Sequence, residues 1–87
     1  MNFQDLEFQP DDLGGVYAQV SYPNGYGASV VRNPMSYGHE RGLYELAVLR
    51  GDSICHDTPV TSDVEGWLSP ADVDRLLEQI EQLPPVG

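Results

Sequence analysis

The sequence contains no lysine, a single cysteine and no long apolar run, and each scarcity narrows the possible functions. Four arginines stand against fourteen acidic residues, which gives a formal net charge of −10 at pH 7. Because contacts to phosphates need clustered basic side chains, we expect no direct binding to DNA, RNA or an anionic membrane. The absence of lysine also removes the side chain with which phosphate-binding loops hold nucleotides, and no glycine-rich nucleotide motif occurs.

The single cysteine, Cys55, cannot form an internal disulfide, which suits a reducing cytosol. No segment approaches the roughly 20 apolar residues of a membrane span. The N-terminus, MNFQDLEFQPDD, is acidic where a secretion signal would be basic. We therefore expect a cytosolic protein that is complete as written.

Eighty-seven residues suffice for one domain, and an apolar content of 40% argues against intrinsic disorder. We expect an acidic N-terminal segment at residues 1–15, a single domain at 16–83 and a proline-rich tail at 84–87. The excess of acidic residues costs stability through self-repulsion, but it aids solubility and speeds encounter with basic partners. The excess of acidic residues is explained either by a basic partner or by solubility alone.

Alternating apolar and polar residues predict four strands, which form two hairpins. In the first turn, Asn24 and Gly25 suit positive φ angles, and Gly27 indicates a bulge or a close backbone approach. Within the N-terminal segment, Pro10 is expected to interrupt any regular element, while nearby aromatic and aliphatic residues can dock on the domain. The predicted strands cover residues 16–22, 26–32, 43–50 and 53–57.

A C-terminal helix has the clearest sequence signals. Ser69 is a typical N-cap, Pro70 occupies the first helical position and Asp72 completes a capping box. The apolar stripe that follows can lie on a sheet, and two prolines end the helix. Before it, Trp67 is expected to plug the edge between sheet and helix, within an irregular turn at 63–67. The stripe comprises Val73, Leu76, Leu77, Ile80 and Leu83.

These elements predict a two-layer α+β fold: a four-stranded, mainly antiparallel sheet packed on one face by one C-terminal helix. The second face of the sheet has no cover in this arrangement. Leu43, Ala47 and Leu49 alternate onto that face, so it is a candidate surface for a homodimer or a partner.

The sequence Cys55-His56-Asp57 has the residue types of a catalytic trio, but neighbours on a strand point to opposite faces. Cys55 is better explained as a buried core residue and His56 as an exposed or edge residue. With His39, these are the available soft or imidazole ligands, and their spacing matches no metal motif. We predict no catalytic residue, no metal and no cofactor; a small hydrolase with paired carboxylates is the enzymatic alternative.

Four acidic residues of the helix are candidate partner-binding residues. Asp72 and Asp74 lie in the first turn, where the helix dipole favours anions and stability alone explains them. Glu78 and Glu81 lie toward the C-terminus, where the dipole disfavours them. Acids three or four residues apart lie about 5–6 Å from each other, close to the spacing of phosphates along a strand. Nucleic-acid mimicry and an ordinary solvated helix face both fit this pattern.

The segment NPMSYGHERG, at residues 33–42, predicts a long loop between the second and third strands. It places Tyr37, His39, Glu40 and Arg41 close together. Tyrosine and arginine are frequent in binding hot spots, and function concentrates on loops. These four residues are candidate partner contacts; the alternative is a solvated connection.

Three stretches of the chain resemble a group of short, uncharacterised acidic proteins encoded by tailed bacteriophages. They are GYGASVVR (25–32), SYGHERGLYELAVLR (36–50) and DTPVTSDVEGWLSPADVDRLLEQIEQL (57–83), more than half of the chain. The group has no assigned activity or catalytic residues. The resemblance implies a protein made in the cytoplasm of an infected bacterium, where small acidic phage proteins often block host defence or nucleic-acid enzymes.

Together these observations predict a non-catalytic binding protein that inhibits or modulates a host nucleic-acid-associated or defence protein through an acidic surface. The expected partner is a basic host protein. The alternative is a homo-oligomeric structural or assembly protein that uses the open sheet face, with acidity serving solubility.

Overall fold

The structure, a computed structural model, describes residues 3–36, 38–51, 53–54 and 64–85. It is an α+β fold with an antiparallel sheet and one C-terminal helix, as predicted. Two short 3-10 helices, Phe3–Asp5 and His39–Arg41, precede and interrupt the sheet. The helix α1 spans Pro70–Glu81, and the strands are β1 (Gln9–Pro10), β2 (Val16–Ser21), β3 (Tyr26–Arg32), β4 (Tyr44–Arg50), β5 (Ser53–Ile54) and β6 (Val64–Leu68).

The described residues form six strands, so the prediction of four was wrong. The two predicted hairpins, β2–β3 and β4–β5, are present, although the predicted fourth strand is described only at Ser53–Ile54. The additional strands are β1, which pairs with the start of β2, and β6, which pairs with β4. Because β3 occupies the other side of β4, β5 and β6 share one edge of that central strand.

The hydrophobic core lies between the sheet and α1. Leu46 and Val48 of β4 point to the helix and are fully buried, as their alternation predicts. Across the ladder they pair with Val30 and Ala28 of β3, which are also fully buried. Burial of each larger aliphatic side chain contributes roughly 1.5–3 kcal/mol. The helix supplies the opposite wall with Val73, Leu76, Leu77 and Ile80.

The N-terminal segment completes the helical layer. Leu6 is buried in the core, and the rings of Phe3 and Phe8 pack on Tyr44 with centroid separations of 5.1 and 5.5 Å. The backbone N–H of Phe3 donates to a carboxylate oxygen of Asp74 in α1. Pro10 was expected to interrupt any regular element; it lies instead in a two-residue edge strand, where its missing N–H is tolerated.

The start of the helix has the predicted capping box. The N–H of Asp72 donates to Ser69 Oγ at 3.2 Å, and the N–H of Ser69 donates to Asp72 Oδ2 at 3.1 Å. Pro70 begins the helix, where no intrahelical N–H bond is lost. Within the described part of the chain, no helix has the length and apolar character to cross a membrane.

The first hairpin turn uses glycine, not asparagine, for the left-handed conformation. Gly25 has φ 90°, whereas Asn24 was expected to share the positive φ and does not. Gly27 makes the close approach that the sequence indicated, because a Cβ there would lie 2.3 Å from the carbonyl oxygen of Val20. The β2–β3 register runs through Gly27 without a bulge.

Candidate functional site

Trp67 stands out among the described residues by its backbone conformation and its exposure. It lies in β6 at a bulge, where Gly66 and Trp67 together stand opposite Glu45 of β4. The residue is 51% exposed, so the prediction that it plugs the edge between sheet and helix was wrong. The predicted irregular turn is also wrong over its described residues, which form β6; Asp63 lies outside the described residues.

The backbone of Trp67 is strained. Its φ of 59° makes it the one non-glycine residue with positive φ among the described residues. For an L-residue the left-handed conformation costs roughly 1–2 kcal/mol, because Cβ approaches the carbonyl oxygen. Such strain persists where the surrounding structure enforces it, and it is concentrated at functional sites. A bulky aromatic residue in this conformation, with half of its surface in solvent, therefore marks a candidate contact site.

The loop before β4 packs directly against Trp67. A Cβ on Gly38 would lie 3.0 Å from the Cα of Trp67, so glycine permits the close approach. The carbonyl oxygen of Gly38 accepts hydrogen bonds from the N–H groups of Arg41 and Leu43, both at 3.0 Å, which closes the short helical turn. The guanidinium of Arg41 then lies over the indole, with Cζ 5.9 Å from the ring centroid. This separation is within the range of a cation–π contact.

Trp67, Arg41, His39 and Glu40 are here named the Trp67 patch. The last three are exposed in the 3-10 turn His39–Arg41, and were candidate partner contacts from the sequence. The fourth loop candidate, Tyr37, lies outside the described residues. The structure thus adds an exposed indole to three of the loop residues that the sequence singled out.

The two acids in the first turns of the helix are engaged within the molecule. Asp72 completes the capping box and lies 3.7 Å from Arg75 Nη2. The backbone N–H of Ser69 is the main cause of a lowered pKa for the Asp72 carboxyl, followed by the Ser69 hydroxyl. Asp74 accepts the N–H of Phe3 and so holds the N-terminal segment on the helix.

The other two acids, Glu78 and Glu81, are exposed near the end of the helix. The charge of Glu81 acts on Tyr22, just after β2. The Trp67 patch lies beside β6, and β3 and β4 separate β6 from β2. At about 4.8 Å per strand, β2 and β6 are about 14 Å apart. The structure therefore does not bring the helix acids and the loop candidates into one cluster.

The outer face of the sheet, which points away from α1, carries a depression of about 230 Å³. This face was expected to have no cover, but Ala47 and Leu49 on it are buried. Ala47 and Leu49 lie on this face, as their alternation predicted. Leu43 precedes β4 and packs beside Gly38 instead of lining the depression. The lining residues are Gln19, Ser29, Val31, Glu45, Ala47, Leu49 and Ile54.

The Cys55-His56-Asp57 trio lies outside the described residues, so the structure does not bear on it. Among the residues that are described, no group of three or more histidine, cysteine or acidic side chains is placed to hold a metal ion. His39 is exposed in the Trp67 patch.

Trp67 was expected at the edge between sheet and helix, so its exposure was not predicted from the sequence. A signal was present in its neighbour, Gly66, since glycine within a strand often marks a bulge. Comparisons with protein-family models, curated proteins and solved structures gave no match, so the similarity to small phage proteins stays a prediction.

Proposed function

We propose that this chain is a non-catalytic protein-binding module that engages a basic partner through the Trp67 patch. The observation that carries the proposal is the exposed indole of Trp67, held in a left-handed backbone conformation beneath the guanidinium of Arg41. Tryptophan and arginine dominate binding hot spots, because they bury a large area and retain a directional polar group.

The net charge of −10 supports a basic partner. Long-range attraction raises the rate of encounter with a positive surface, and this attraction weakens as salt screens it. Glu78 and Glu81 add exposed negative charge at a distance from the Trp67 patch. They would attract the partner during its approach without contacting the part of it that binds the patch. Asp72 and Asp74 contribute charge while serving capping and docking roles.

The similarity to small phage proteins suggests where the partner would be found. A host nucleic-acid-associated or defence protein would carry the required basic surface, and occupation of that surface would inhibit or modulate it. The module would then act in the cytoplasm of the host bacterium.

Affinity capture from bacterial lysate tests this function with wild type, Trp67→Ala and Leu13→Ala. Leu13 is a matched control because its exposed fraction, 53%, is close to that of Trp67. Wild type and Leu13→Ala should retain a basic protein at low salt and lose it as salt rises. Trp67→Ala should weaken capture about thirty-fold, which corresponds to a hot spot of about 2 kcal/mol. If capture changed neither with the salt concentration nor in the Trp67→Ala variant, the proposal would be disproved.

A homo-oligomeric assembly role is the second candidate, and the apolar depression on the outer sheet face favours it. Two copies would each bring a charge of −10 to the interface, which opposes association at low salt. Sedimentation at several salt concentrations distinguishes the roles: an assembly protein should form a stable dimer as salt rises, whereas the binding module should stay monomeric.

A further inference from the structure

We infer that Asn24 is a site of spontaneous deamidation, and that its contact with the end of α1 holds the reaction back until the two separate. The site lies in the first hairpin turn and does not depend on the proposed function. Trp67 lies toward the start of β4, whereas the turn lies beside the end of β4.

The chemistry follows from the sequence Asn24-Gly25. The backbone nitrogen of Gly25, after losing its proton to hydroxide, forms a bond to the side-chain carbon Cγ of Asn24. The bond from Cγ to the amide nitrogen breaks, and that nitrogen takes a proton from water and leaves as ammonia. Water then opens the resulting succinimide ring to give aspartate or isoaspartate. Glycine has no Cβ to hinder this approach, and asparagine is among the thermolabile residues.

The folded turn engages the attacking nitrogen and the carbonyl that it would attack. The N–H of Gly25, which has φ 90°, donates to the carbonyl oxygen of Tyr22 at 3.1 Å. The side-chain oxygen of Asn24 accepts the N–H of Tyr26 at 3.0 Å. Ring closure needs Cγ to rotate toward the nitrogen of Gly25, so it requires both hydrogen bonds to break.

The departing amide is held by the helix. The side-chain nitrogen of Asn24 lies 2.9 Å from the carbonyl oxygen of Ile80, and 3.2 and 3.1 Å from those of Glu81 and Leu83. With bonds on both its oxygen and its nitrogen, the amide plane is fixed. Deamidation therefore requires the turn to separate from the end of α1, which is a local opening of the fold.

The reaction makes that opening easier once it has occurred. A carboxylate at position 24 has no N–H with which to donate to the last carbonyls of the helix. It also places a negative charge near the negative end of the helix dipole. Each deamidated chain is therefore left with a permanently weakened link between the first hairpin and α1.

Mass spectrometry of the full chain after incubation in mildly alkaline buffer, with and without denaturing urea, tests the inference. The peptide that contains Asn24 should convert at least about tenfold more slowly in the folded chain than in urea, because the reactive conformation requires opening. Asn33 is an internal control, since Pro34 after it has no N–H to attack. Equal rates in the two buffers, or no conversion at position 24 in urea, would overturn the inference.

Two variants distinguish local opening from unfolding of the whole chain. Leu83 and Phe8 are both partly buried against the core, but Phe8 packs on Tyr44 at the start of β4. Tyr44 is about 20 Å along the strand from Arg50, which lies beside the turn. Leu83→Ala should raise the rate in the folded chain several-fold, whereas Phe8→Leu should leave it near wild type. Equal rates in the two variants would show that the contact with α1 does not control the reaction.

The product itself provides a third readout. Deamidated chains carry one more negative charge, so anion exchange separates them from unmodified ones. They should unfold at a lower urea concentration than the unmodified chain, with Asn24→Asp as the reference for the aspartate form. Deamidated chains that unfold at the wild-type urea concentration would contradict the loss of the helix contact.

Discussion

The side-chain amide of Asn24 donates a hydrogen bond to the carbonyl oxygen of Ile80 at 2.9 Å. The same nitrogen lies 3.2 Å and 3.1 Å from the carbonyl oxygens of Glu81 and Leu83. The last carbonyls of a helix have no intrahelical donor, so the first hairpin turn caps the end of α1. The side-chain oxygen of Asn24 meanwhile accepts the N–H of Tyr26 at 3.0 Å.

Replacement of Asn24 should destabilise the fold through the loss of this cap. Asn24→Asp keeps the oxygen that accepts from Tyr26, but it cannot donate to the helix and adds negative charge at the negative end of the helix dipole. We expect a loss of about 1–2 kcal/mol in the free energy of unfolding, measured with urea. Asn24→Ala loses both contacts and should be destabilised as well. An Asn24→Asp protein as stable as wild type would show that the cap contributes nothing.

The strain at Trp67 predicts that glycine at this position gives a more stable protein than alanine does. Trp67→Gly removes the Cβ that opposes a positive φ, whereas Trp67→Ala retains it. The glycine variant should therefore be more stable than the alanine variant by about 1 kcal/mol, the reverse of the usual order within a strand. Thermal or urea unfolding of the two variants measures the difference. If Trp67→Ala were more stable than Trp67→Gly by about 1 kcal/mol, the left-handed conformation would not be present in solution.

Tyr22 is buried, and its hydroxyl has no hydrogen-bond partner among the described residues. Burial raises the pKa of Tyr22 to about 12, and the charge of Glu81 adds to the effect. Between pH 10 and 12 the unfolded chain releases this proton and the folded chain keeps it, so the contribution of Tyr22 to stability falls as pH rises.

Tyr22→Phe should therefore raise the free energy of unfolding by up to about 1 kcal/mol at pH 7, because an unsatisfied buried hydroxyl is removed. The advantage of the variant should grow above pH 10. Urea unfolding at pH 7 and at pH 11 measures both effects. A phenylalanine variant that is clearly less stable at both values would show that the hydroxyl has a favourable partner.

Asp11 joins two turns on the same end of the sheet. Its carboxylate accepts the side-chain amide of Asn33 at 2.7 Å and the N–H groups of Leu13 and Gly15 at 2.9 and 3.0 Å. The Asn33 amide is the main cause of a pKa for Asp11 below the ordinary value of 3.8, with the Gly15 N–H next. The stabilisation is thus present above the unfolded pKa and is lost as pH falls through the folded value.

An Asp11→Asn variant should be less stable than wild type at pH 7, and the difference should shrink as pH falls below about 4. Measurement of the difference between the two proteins cancels the general effect of neutralising the other acids. Asp12→Asn, one residue along in the same turn, is the control for the loss of one charge. A pH-independent difference for Asp11→Asn would contradict the assigned hydrogen bonds.

Local signals made the helix and the first hairpin predictable. Ser69, Pro70 and Asp72 each have a strong positional preference, so the start of α1 is determined by neighbours in sequence. The strand at residues 26–32 was predicted at its observed bounds, because alternation continues through Gly27.

The additional strands depend on distant partners. Pro10 argues against a strand, yet two residues suffice to pair with the start of β2 at an edge. In β6, Gly66 and the bulge break the two-residue alternation, so its pairing with β4 leaves no periodic signal. The role of Asp74 is equally non-local, since its partner Phe3 lies 71 positions away.

Only the loop residues of the candidate site could be predicted from the sequence. Tyrosine and arginine in a glycine-rich loop indicated a contact surface, and Arg41 does lie exposed in the Trp67 patch. A positive φ for tryptophan has no sequence signature, because the bulge that enforces it is a property of strand pairing. The indole was therefore expected to plug the edge between sheet and helix, and its exposure was not predicted.

Trp67 is the only tryptophan in the chain, so its fluorescence reports the Trp67 patch directly. The decisive measurement is a titration of the full chain with the captured basic partner, followed by tryptophan emission and by acrylamide quenching. In the partner fragment each tryptophan is replaced by phenylalanine, so that all tryptophan emission comes from Trp67. Our account predicts a blue shift and protection from quenching on binding, with a dissociation constant that rises with salt. Binding that leaves both the emission and the quenching of Trp67 unchanged would contradict it.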